Sequence, residues 1–238
     1  MIKKKVILYC LSFAGGSSYS YRDFAKHLDD NIEVVAIDLP GHGRKLREPL
    51  LTDLNIMTDY LLDQIRMDIM SSPFAIYGHS MGATLGYMLC RKLIKEGLPR
   101  PKHLFFSSRQ GPSVPIKDET KYLHLLPQDQ FVKMAMEYGG IPREVAAEKE
   151  LMDLFVPIMK ADFQAVGQYV YEPDTPFDIP VTVLIGSNEK TTPYDAMKWQ
   201  EVTSQKISMM QFLGGHFFIF DNLPEICEII SASLAIDL

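Results

Sequence analysis

Short, continuous apolar runs alternate along the chain with segments in which apolar residues recur every three or four positions. The continuous runs end at Gly, Pro or Ser, and such runs are typical of strands buried on both faces of a sheet. The last run is less regular than the others because Met209 and Met210 are not among the residues enriched in strands. The predicted strands cover residues 6–13, 34–39, 74–77, 104–106, 181–185 and 207–213.

The segments with helical spacing lie between these runs. They predict helices that cover residues 24–28, 57–69, 85–94 and 226–234. Strands that alternate with helices are typical of a mostly parallel sheet with helices on both faces, so we predict an α/β fold. The length of 238 residues suits one large α/β domain or two small ones.

Residues 112–176 interrupt the alternation, and we call this segment the insertion. It contains no convincing strand, whereas apolar residues recur with helical spacing, first at Phe131, Met134 and Tyr138 and then through residues 151–159. The segment is too long for an ordinary connection between two strands. We predict that it forms a helical lid over a site, with an extra packing layer as the alternative.

The pentapeptide Gly-His-Ser-Met-Gly at residues 78–82 is the strongest chemical signal in the sequence. It follows a predicted strand and precedes a predicted helix, which is the context of a G-x-S-x-G nucleophile elbow. Such a turn lifts the Ser80 hydroxyl above the sheet, and its glycines let neighbouring backbone approach closely. The N-terminus of the following helix then points to developing negative charge. The alternative is a glycine-rich turn without a catalytic role.

A serine nucleophile needs a base and an acid. In folds with this elbow the three groups follow one another in the order serine, acid, histidine. His216 lies after the last predicted strand and follows two glycines, so it is the predicted base. Glu189 is the first carboxylate after residues 181–185 and is the predicted acid, with Asp195 and Asp178 as alternatives. A solvated loop charge is the other interpretation of Glu189.

Two backbone N–H groups are expected to hold the oxyanion of an acyl-transfer reaction. One belongs to Met81, the residue after the nucleophile, and the other to the glycine-containing loop at residues 12–18. The glycine pair in this loop does not match a phosphate-binding loop, because neither a following Gly-Lys-Ser/Thr nor a G-x-G-x-x-G spacing is present.

These segments together resemble the type II thioesterases, the stand-alone editing enzymes of nonribosomal peptide and polyketide assembly lines. The elbow by itself indicates only an α/β-hydrolase fold. More specific are Phe-Ala-Gly-Gly-Ser at residues 13–17, Tyr-Gly-Gly-Ile-Pro at 138–142, Lys-Ala-Asp-Phe at 160–163 and Gly-Gly-His-Phe-Phe at 214–218. The resemblance covers nearly the whole chain, so we predict a single domain that spans residues 1–238.

The resemblance implies the roles of individual residues. Ser80 and His216 match the nucleophile and base of the family, and Ala14 and Met81 match its backbone oxyanion donors. Glu189 stands where the family usually has an aspartate. Arg44 stands where the family often has a basic residue, with a surface arginine as the alternative. Residues 112–176 match the family's helical lid.

The resemblance also implies the substrate and partners. The expected substrates are acyl thioesters on the phosphopantetheine arm of acyl or peptidyl carrier protein domains, cleaved without a cofactor or a metal. The alternatives are a product-releasing thioesterase, a general carboxylesterase and a catalytically impaired protein that docks a carrier domain.

Composition argues against several other classes of function. The net charge is -6 and the basic residues are scattered, so a nucleic-acid partner is not expected. No signal peptide is apparent, and no apolar run approaches the ~18–20 residues of a membrane span. Cys10, Cys90 and Cys227 are far apart in apolar surroundings and without metal-ligand spacing, which predicts buried free thiols in a reducing compartment. We therefore predict a cytoplasmic enzyme.

Overall fold

The computed structural model describes residues 5–141 and 143–235 of the chain. Within these ranges the strands are β1 (Val6–Leu11), β2 (Ile32–Ile37), β3 (Phe74–His79), β4 (Leu104–Ser107), β5 (Val181–Gly186) and β6 (Ser208–Phe212). The helices are α1 (Leu54–Ile69), α2 (Met81–Lys95), α3 (Asp118–Lys121), α4 (Gln128–Glu137), α5 (Arg143–Ala146), α6 (Lys149–Gly167), α7 (Pro193–Met197), α8 (Phe218–Asp221) and α9 (Leu223–Ala235). Short 3-10 turns occupy Ser18–Tyr21, Phe24–Lys26, Gly43–Lys45, Leu123–Leu125 and Lys198–Val202.

The described strands form one sheet in the order β2-β1-β3-β4-β5-β6. Each neighbouring pair is parallel; on the two sides of β1, for example, Cys10 lies opposite Ala36 of β2 and Tyr77 of β3. Parallel neighbours need crossover connections, and these place helices on the faces of the sheet. The carboxyl ends of all six strands therefore meet at one edge, where the loops that carry the predicted site residues lie.

The two faces of the sheet pack into separate cores, as the alternation of side chains along β1 shows. Ile7 and Tyr9 belong to a core that they share with the buried faces of α1 and α2. Leu8 and Cys10 point to the opposite face and belong to a core that contains the buried face of α9. Fully burying one such apolar side chain contributes about 1.5–3 kcal/mol, so both faces stabilise the sheet. The predicted α/β architecture is confirmed.

The observed elements differ from the predicted ones where tertiary position matters. The helix predicted at residues 24–28 is a single 3-10 turn, Phe24–Lys26, because the chain enters β2 soon afterwards and one turn is too short to gain helical stability. Strand β6 is an edge strand with only one neighbour, and its residues Met210 and Gln211 are exposed. This position explains why its apolar run is the weakest of the set.

All regular secondary structure in the described part of the insertion is helical. It contains α3, α4, α5 and α6, and no strand lies between residues 112 and 176 in the part that the structure describes. Its helices share a small core of their own, which includes Phe131 and Val156. Pro142 of the Tyr-Gly-Gly-Ile-Pro segment lies outside the described residues.

The three cysteines are buried and free of disulfide bonds, in agreement with the sequence. None of the helices in the described ranges combines the length and the apolar character needed to cross a bilayer.

Candidate active site

Ser80 occupies a strained turn between β3 and α2. Its φ of 54° and ψ of -112° lie outside the regions that non-glycine residues usually adopt, a conformation that costs about 1–3 kcal/mol. The turn is held by a hydrogen bond from the Ser80 N–H to the Ser107 carbonyl oxygen at 2.8 Å. The strain is therefore maintained by the neighbouring strand β4, and the serine side chain faces a cavity at the carboxyl edge of the sheet.

The glycines of the pentapeptide are required by close backbone contacts. A Cβ atom on Gly78 would overlap the carbonyl oxygen of Gly82, and a Cβ atom on Gly82 would overlap the carbonyl oxygen of Leu11 at the end of β1. Because backbone cannot move aside as a flexible side chain can, any larger residue would displace the turn. The spacing of glycines in the sequence thus reports the tight packing of the elbow against β1.

His216 and Glu189 are in direct contact. The Nδ1 atom of His216 lies 3.2 Å from Oε2 of Glu189, and the Glu189 side chain is only 1% exposed. The second carboxylate oxygen, Oε1, accepts the N–H of Gly186 at 2.7 Å. Asp195 instead bonds to Thr192, and Asp178 accepts from Gln205, so neither alternative carboxylate has a hydrogen bond to His216.

Ser108 is a site residue that the sequence did not reveal. Its Oγ lies 2.6 Å from Oε2 of Glu189 and 2.8 Å from the carbonyl oxygen of His216, so its hydroxyl connects the acid with the loop that carries the histidine. Its φ of 53° is the second positive value at a non-glycine residue in the described ranges, after Ser80. A serine directly after a strand carries no sequence signal of this role, because the contacts involve residues distant in the chain.

His79 lies inside the elbow and is fully buried. Its Nδ1 lies 3.0 Å from Oγ of Ser107, and its ring packs against Phe13 and His216 at centroid distances of 5.6 and 5.2 Å. Burial, together with the nearby His216, lowers the pKa of His79 well below its usual value. The ring is therefore neutral at pH 7 and packs against His216 without sharing a charge with it.

Ala14 and Met81 both line the cavity beside Ser80. The loop that contains Ala14 is held by the insertion, because the Gly15 N–H donates to Oδ2 of Asp162 on α6 at 2.7 Å. Gly15 has a φ of 77°, and a Cβ atom there would clash with Met159 of the same helix. The insertion thus packs directly on the loop that the sequence assigned to the oxyanion.

Asp162 also binds His42, and the pair is completely buried. His42 Nε2 lies 2.9 Å from Asp162 Oδ2, while His42 Nδ1 lies 3.0 Å from the carbonyl oxygen of Pro40. Burial lowers the pKa of His42. The hydrogen bond with Asp162 and the charge of Asp162 raise this pKa, and the Pro40 carbonyl and the charge of Asp38 also raise it, so that together they outweigh the effect of burial. The net effect is a raised pKa, as suits a ring whose two nitrogens both face acceptors.

Arg44 is a surface arginine. Its side chain is 66% exposed and its Nε donates to Asp38 at 3.0 Å. It does not line the cavity.

The cavity has a volume of about 800 Å³ and connects the sheet edge with the insertion. Met159, Phe163 and Val166 of α6 form an apolar part of its wall, together with Ile116. Met134 and Phe155, two other apolar residues of the insertion, do not line the cavity. Met134 packs within the core of the insertion, and Phe155 is 36% exposed.

The arrangement brings together the groups that acyl transfer requires. Ser80 and His216 face one cavity, Glu189 holds the far nitrogen of the histidine ring, and the backbone of Ala14 and Met81 borders the same space. A buried carboxylate in this position fixes the tautomer of the histidine and stabilises its protonated form. Within the described residues, no group of three or more His, Cys, Asp or Glu side chains is placed to hold a metal ion.

Comparison with known proteins gives matches over nearly the whole chain. The sequence model of the thioesterase family, described as "Thioesterase domain", matches residues 6–234. The Gramicidin S biosynthesis protein GrsT of Aneurinibacillus migulanus is 32% identical over 231 residues, which make up 97% of this chain and 89% of that protein.

Several solved structures also match nearly the whole chain. ClbQ from the colibactin NRPS/PKS pathway is 27% identical, with a TM-score of 0.92 over 98% of each chain. The type II thioesterase BorB from the borrelidin biosynthetic cluster is 30% identical, with a TM-score of 0.88 over 97% of this chain and 93% of its own. These matches confirm the α/β-hydrolase fold predicted from the sequence.

Proposed function

Because the chain belongs to the thioesterase family, as its motifs predicted, we propose that it hydrolyses acyl thioesters with Ser80 as nucleophile, His216 as base and Glu189 as acid. The observation that carries this proposal is the contact of Glu189 with His216 Nδ1 at the cavity that Ser80 also lines. Nδ1 is thereby occupied, which leaves Nε2 of the ring for the serine hydroxyl.

The reaction proceeds in two halves. Nε2 of His216 takes the proton of the Ser80 hydroxyl while Oγ attacks the thioester carbonyl, and the N–H groups of Ala14 and Met81 stabilise the oxyanion. The protonated histidine then gives its proton to the departing thiolate, which leaves an acyl-serine ester. In the second half the same nitrogen takes a proton from water, the hydroxide adds to the ester, and the free acid departs as Ser80 regains its proton.

The proposed substrate is an acyl group on the phosphopantetheine arm of an acyl or peptidyl carrier protein domain. Support comes from the relatives: GrsT is named for gramicidin S biosynthesis, and ClbQ for an NRPS/PKS pathway. The proposed role is that of a type II thioesterase, which removes aberrant or stalled acyl groups during nonribosomal peptide or polyketide synthesis. The cavity has a volume of about 800 Å³, which is large enough to hold an acyl chain beside the nucleophile.

The reaction as proposed needs no cofactor or metal, because the histidine–carboxylate pair activates the serine. We place the enzyme in the cytoplasm, and the three buried free cysteines support this assignment because reducing compartments keep thiols free. Carrier protein domains are the proposed partners.

The proposal is tested with a panel of acyl groups loaded on phosphopantetheinylated carrier protein, followed by intact-protein mass spectrometry. Wild-type protein should release acyl groups, and Ser80→Ala should release none. If nothing leaves the carrier although the two proteins bind each other, the chain is a docking protein. If p-nitrophenyl esters are cleaved much faster than any carrier thioester, it is a general carboxylesterase.

A further inference from the structure

Arg109 directly follows Ser108 at the carboxyl edge of the sheet and lines the same cavity as Ser80. Its backbone is held in place, because its carbonyl oxygen accepts the indole N–H of Trp199 at 2.8 Å. The side chain is partly buried. The backbone of Arg109 is therefore held at the wall of the cavity.

No hydrogen bond or ion pair joins the Arg109 guanidinium to another residue in the part of the chain that the structure describes. Arg44, Arg66 and Arg91, by contrast, each contact an aspartate or glutamate. A guanidinium stays protonated in proteins, and removing a charge from water without a partner is costly. Arg109 thus carries a positive charge without a carboxylate partner at the cavity wall.

None of the described carboxylates forms an ion pair with Arg109. Burial lowers its pKa, and among the described residues the one ionisable neighbour that opposes this effect is the phenol of Tyr169. Burial raises the pKa of Tyr169 itself, so the phenol is neutral at pH 7. Four carboxylates border the cavity. Glu189 is engaged by His216 and Asp195 by Thr192, while Glu137 and Asp221 form no ion pair with Arg109 among the described residues.

We propose that Arg109 forms an anion subsite of the acyl pocket, which binds a carboxylate at the far end of a short acyl chain. This inference rests on the proposed thioesterase function. The planar guanidinium fork can donate two parallel hydrogen bonds to a carboxylate, a geometry that few other side chains offer. The preferred substrates are then thioesters of dicarboxylic acids rather than of simple fatty acids of equal length.

Arg109 lies close to Ser80 at the edge of the sheet. The Ser80 N–H bonds to the Ser107 carbonyl oxygen at 2.8 Å. Arg109 is two residues further on, so its Cα lies at most about 7 Å from that of Ser107. The side chains of Ile116, Phe163 and Val166 line the same cavity and offer apolar contact to the methylenes between the two carbonyl carbons. The phosphate of a pantetheine arm is a less suitable occupant, because it lies at the far end of a long linker on the thiol side of the scissile bond.

The test compares succinyl-pantetheine with butyryl-pantetheine, which have the same chain length and no phosphate. We expect wild-type kcat/KM to be higher for the succinyl thioester. Arg109→Gln should lower kcat/KM for the succinyl thioester by about tenfold to a hundredfold, as for a lost hydrogen bond to a charged group, while butyryl hydrolysis stays within about twofold. Arg109→Lys should retain part of the preference. Arg44→Gln, which removes the same charge outside the cavity, should leave the ratio unchanged.

Three results would overturn the proposal. One is an equal loss for both thioesters in Arg109→Gln, which would mean that the guanidinium only supports the cavity wall. Another is the absence of any succinyl preference in the wild type. The third is a loss in Arg109→Gln that appears only with phosphopantetheine thioesters, which would identify the phosphate as the anion. If wild-type protein cleaves neither thioester, the proposed function fails first. In that case calorimetry measures the binding of the two intact thioesters to wild-type protein and to Arg109→Gln. The subsite requires that wild type binds the succinyl thioester more tightly than the butyryl thioester and that Arg109→Gln loses this difference.

Discussion

The carboxylate of Asp162 accepts the backbone N–H of Gly15 at 2.7 Å and so connects helix α6 of the insertion with the loop of Ala14. The same oxygen faces His42 at 2.9 Å, and both side chains are almost completely buried. One buried contact between a histidine and an aspartate therefore positions the loop whose backbone is proposed to bind the oxyanion. The insertion is thus linked to the chemistry as well as to the shape of the cavity.

Asp162→Asn should lower both stability and turnover. An amide oxygen can accept the N–H of Gly15, but it carries no charge to balance that of a protonated His42. Removing one partner of a buried charge pair costs about 3–5 kcal/mol. We expect kcat to fall by about tenfold to a hundredfold with a smaller change in KM, because the loop is proposed to bind the oxyanion of the transition state. Thermal unfolding and steady-state kinetics measure both effects. Asp153→Asn, an exposed change on the same helix, is the control, and wild-type kcat in Asp162→Asn would show that the loop is positioned by other contacts.

The raised pKa of His42 predicts a dependence of stability on pH. The folded ring binds its proton more tightly than the unfolded ring, so the stabilisation is fully present below the ordinary histidine value of about 6.5 and is lost as the pH rises through the raised value. His79 has a lowered pKa and acts in the opposite sense at acidic pH. The difference in unfolding free energy between wild type and His42→Gln isolates the contribution of His42. A difference that stays constant from pH 5 to pH 9 would contradict the prediction.

Glu189→Gln should leave the protein folded and reduce kcat strongly. The amide keeps the shape of the side chain but can donate to Nδ1 of His216 and so favour the wrong tautomer, a change that costs about 10⁴-fold in a serine hydrolase triad. Glu189→Asp, which restores the acid usual in the family but is one methylene shorter, should be impaired less. Circular dichroism checks the fold and carrier-thioester hydrolysis the rate. Full activity of Glu189→Gln would move the acid to Asp195 or another carboxylate.

Ser108→Ala should reduce kcat by about tenfold, because Glu189 loses a hydrogen-bond donor at 2.6 Å. Ser108→Gly removes the same hydroxyl and also relieves the strain of the positive φ. Its kcat should therefore fall as much as that of the alanine variant, while its free energy of unfolding should be higher. The pair of variants separates the effect of the hydroxyl from that of backbone strain. Unchanged turnover in both variants would mean that Ser108 has a structural role only.

The apolar wall formed by α6 should determine acyl chain length. Met159→Ala and Phe163→Ala enlarge the cavity and should shift the kcat/KM optimum to longer acyl chains. Phe155→Ala on the same helix removes a partly exposed side chain outside the cavity and should leave the optimum unchanged. An unaltered optimum in all three variants would mean that the insertion does not shape the acyl pocket.

The architecture and the candidate triad can both be predicted from the sequence. The alternation of strands and helices is local, because each apolar run or helical stripe reports which of its own faces is buried. The elbow is equally local, since the glycines at positions 78 and 82 reflect contacts within one turn and with the adjacent strand. The order of Ser80, Glu189 and His216 could be inferred because parallel strands bring successive loops to a common edge. The structure places Glu189 against His216, while its catalytic role stays a prediction.

The residues that support these groups are apparent only from the way distant elements pack together. Ser108 meets Glu189 across 81 positions of sequence, and His42 meets Asp162 across 120. Neither pair has a local pattern, because a hydrogen bond between distant residues depends on how whole elements pack and leaves no periodicity in either segment. The same reason explains why Met159 and Phe163 line the cavity while Met134 and Phe155 do not. Helical spacing indicates that a face is apolar, but the neighbours of that face are chosen by the fold.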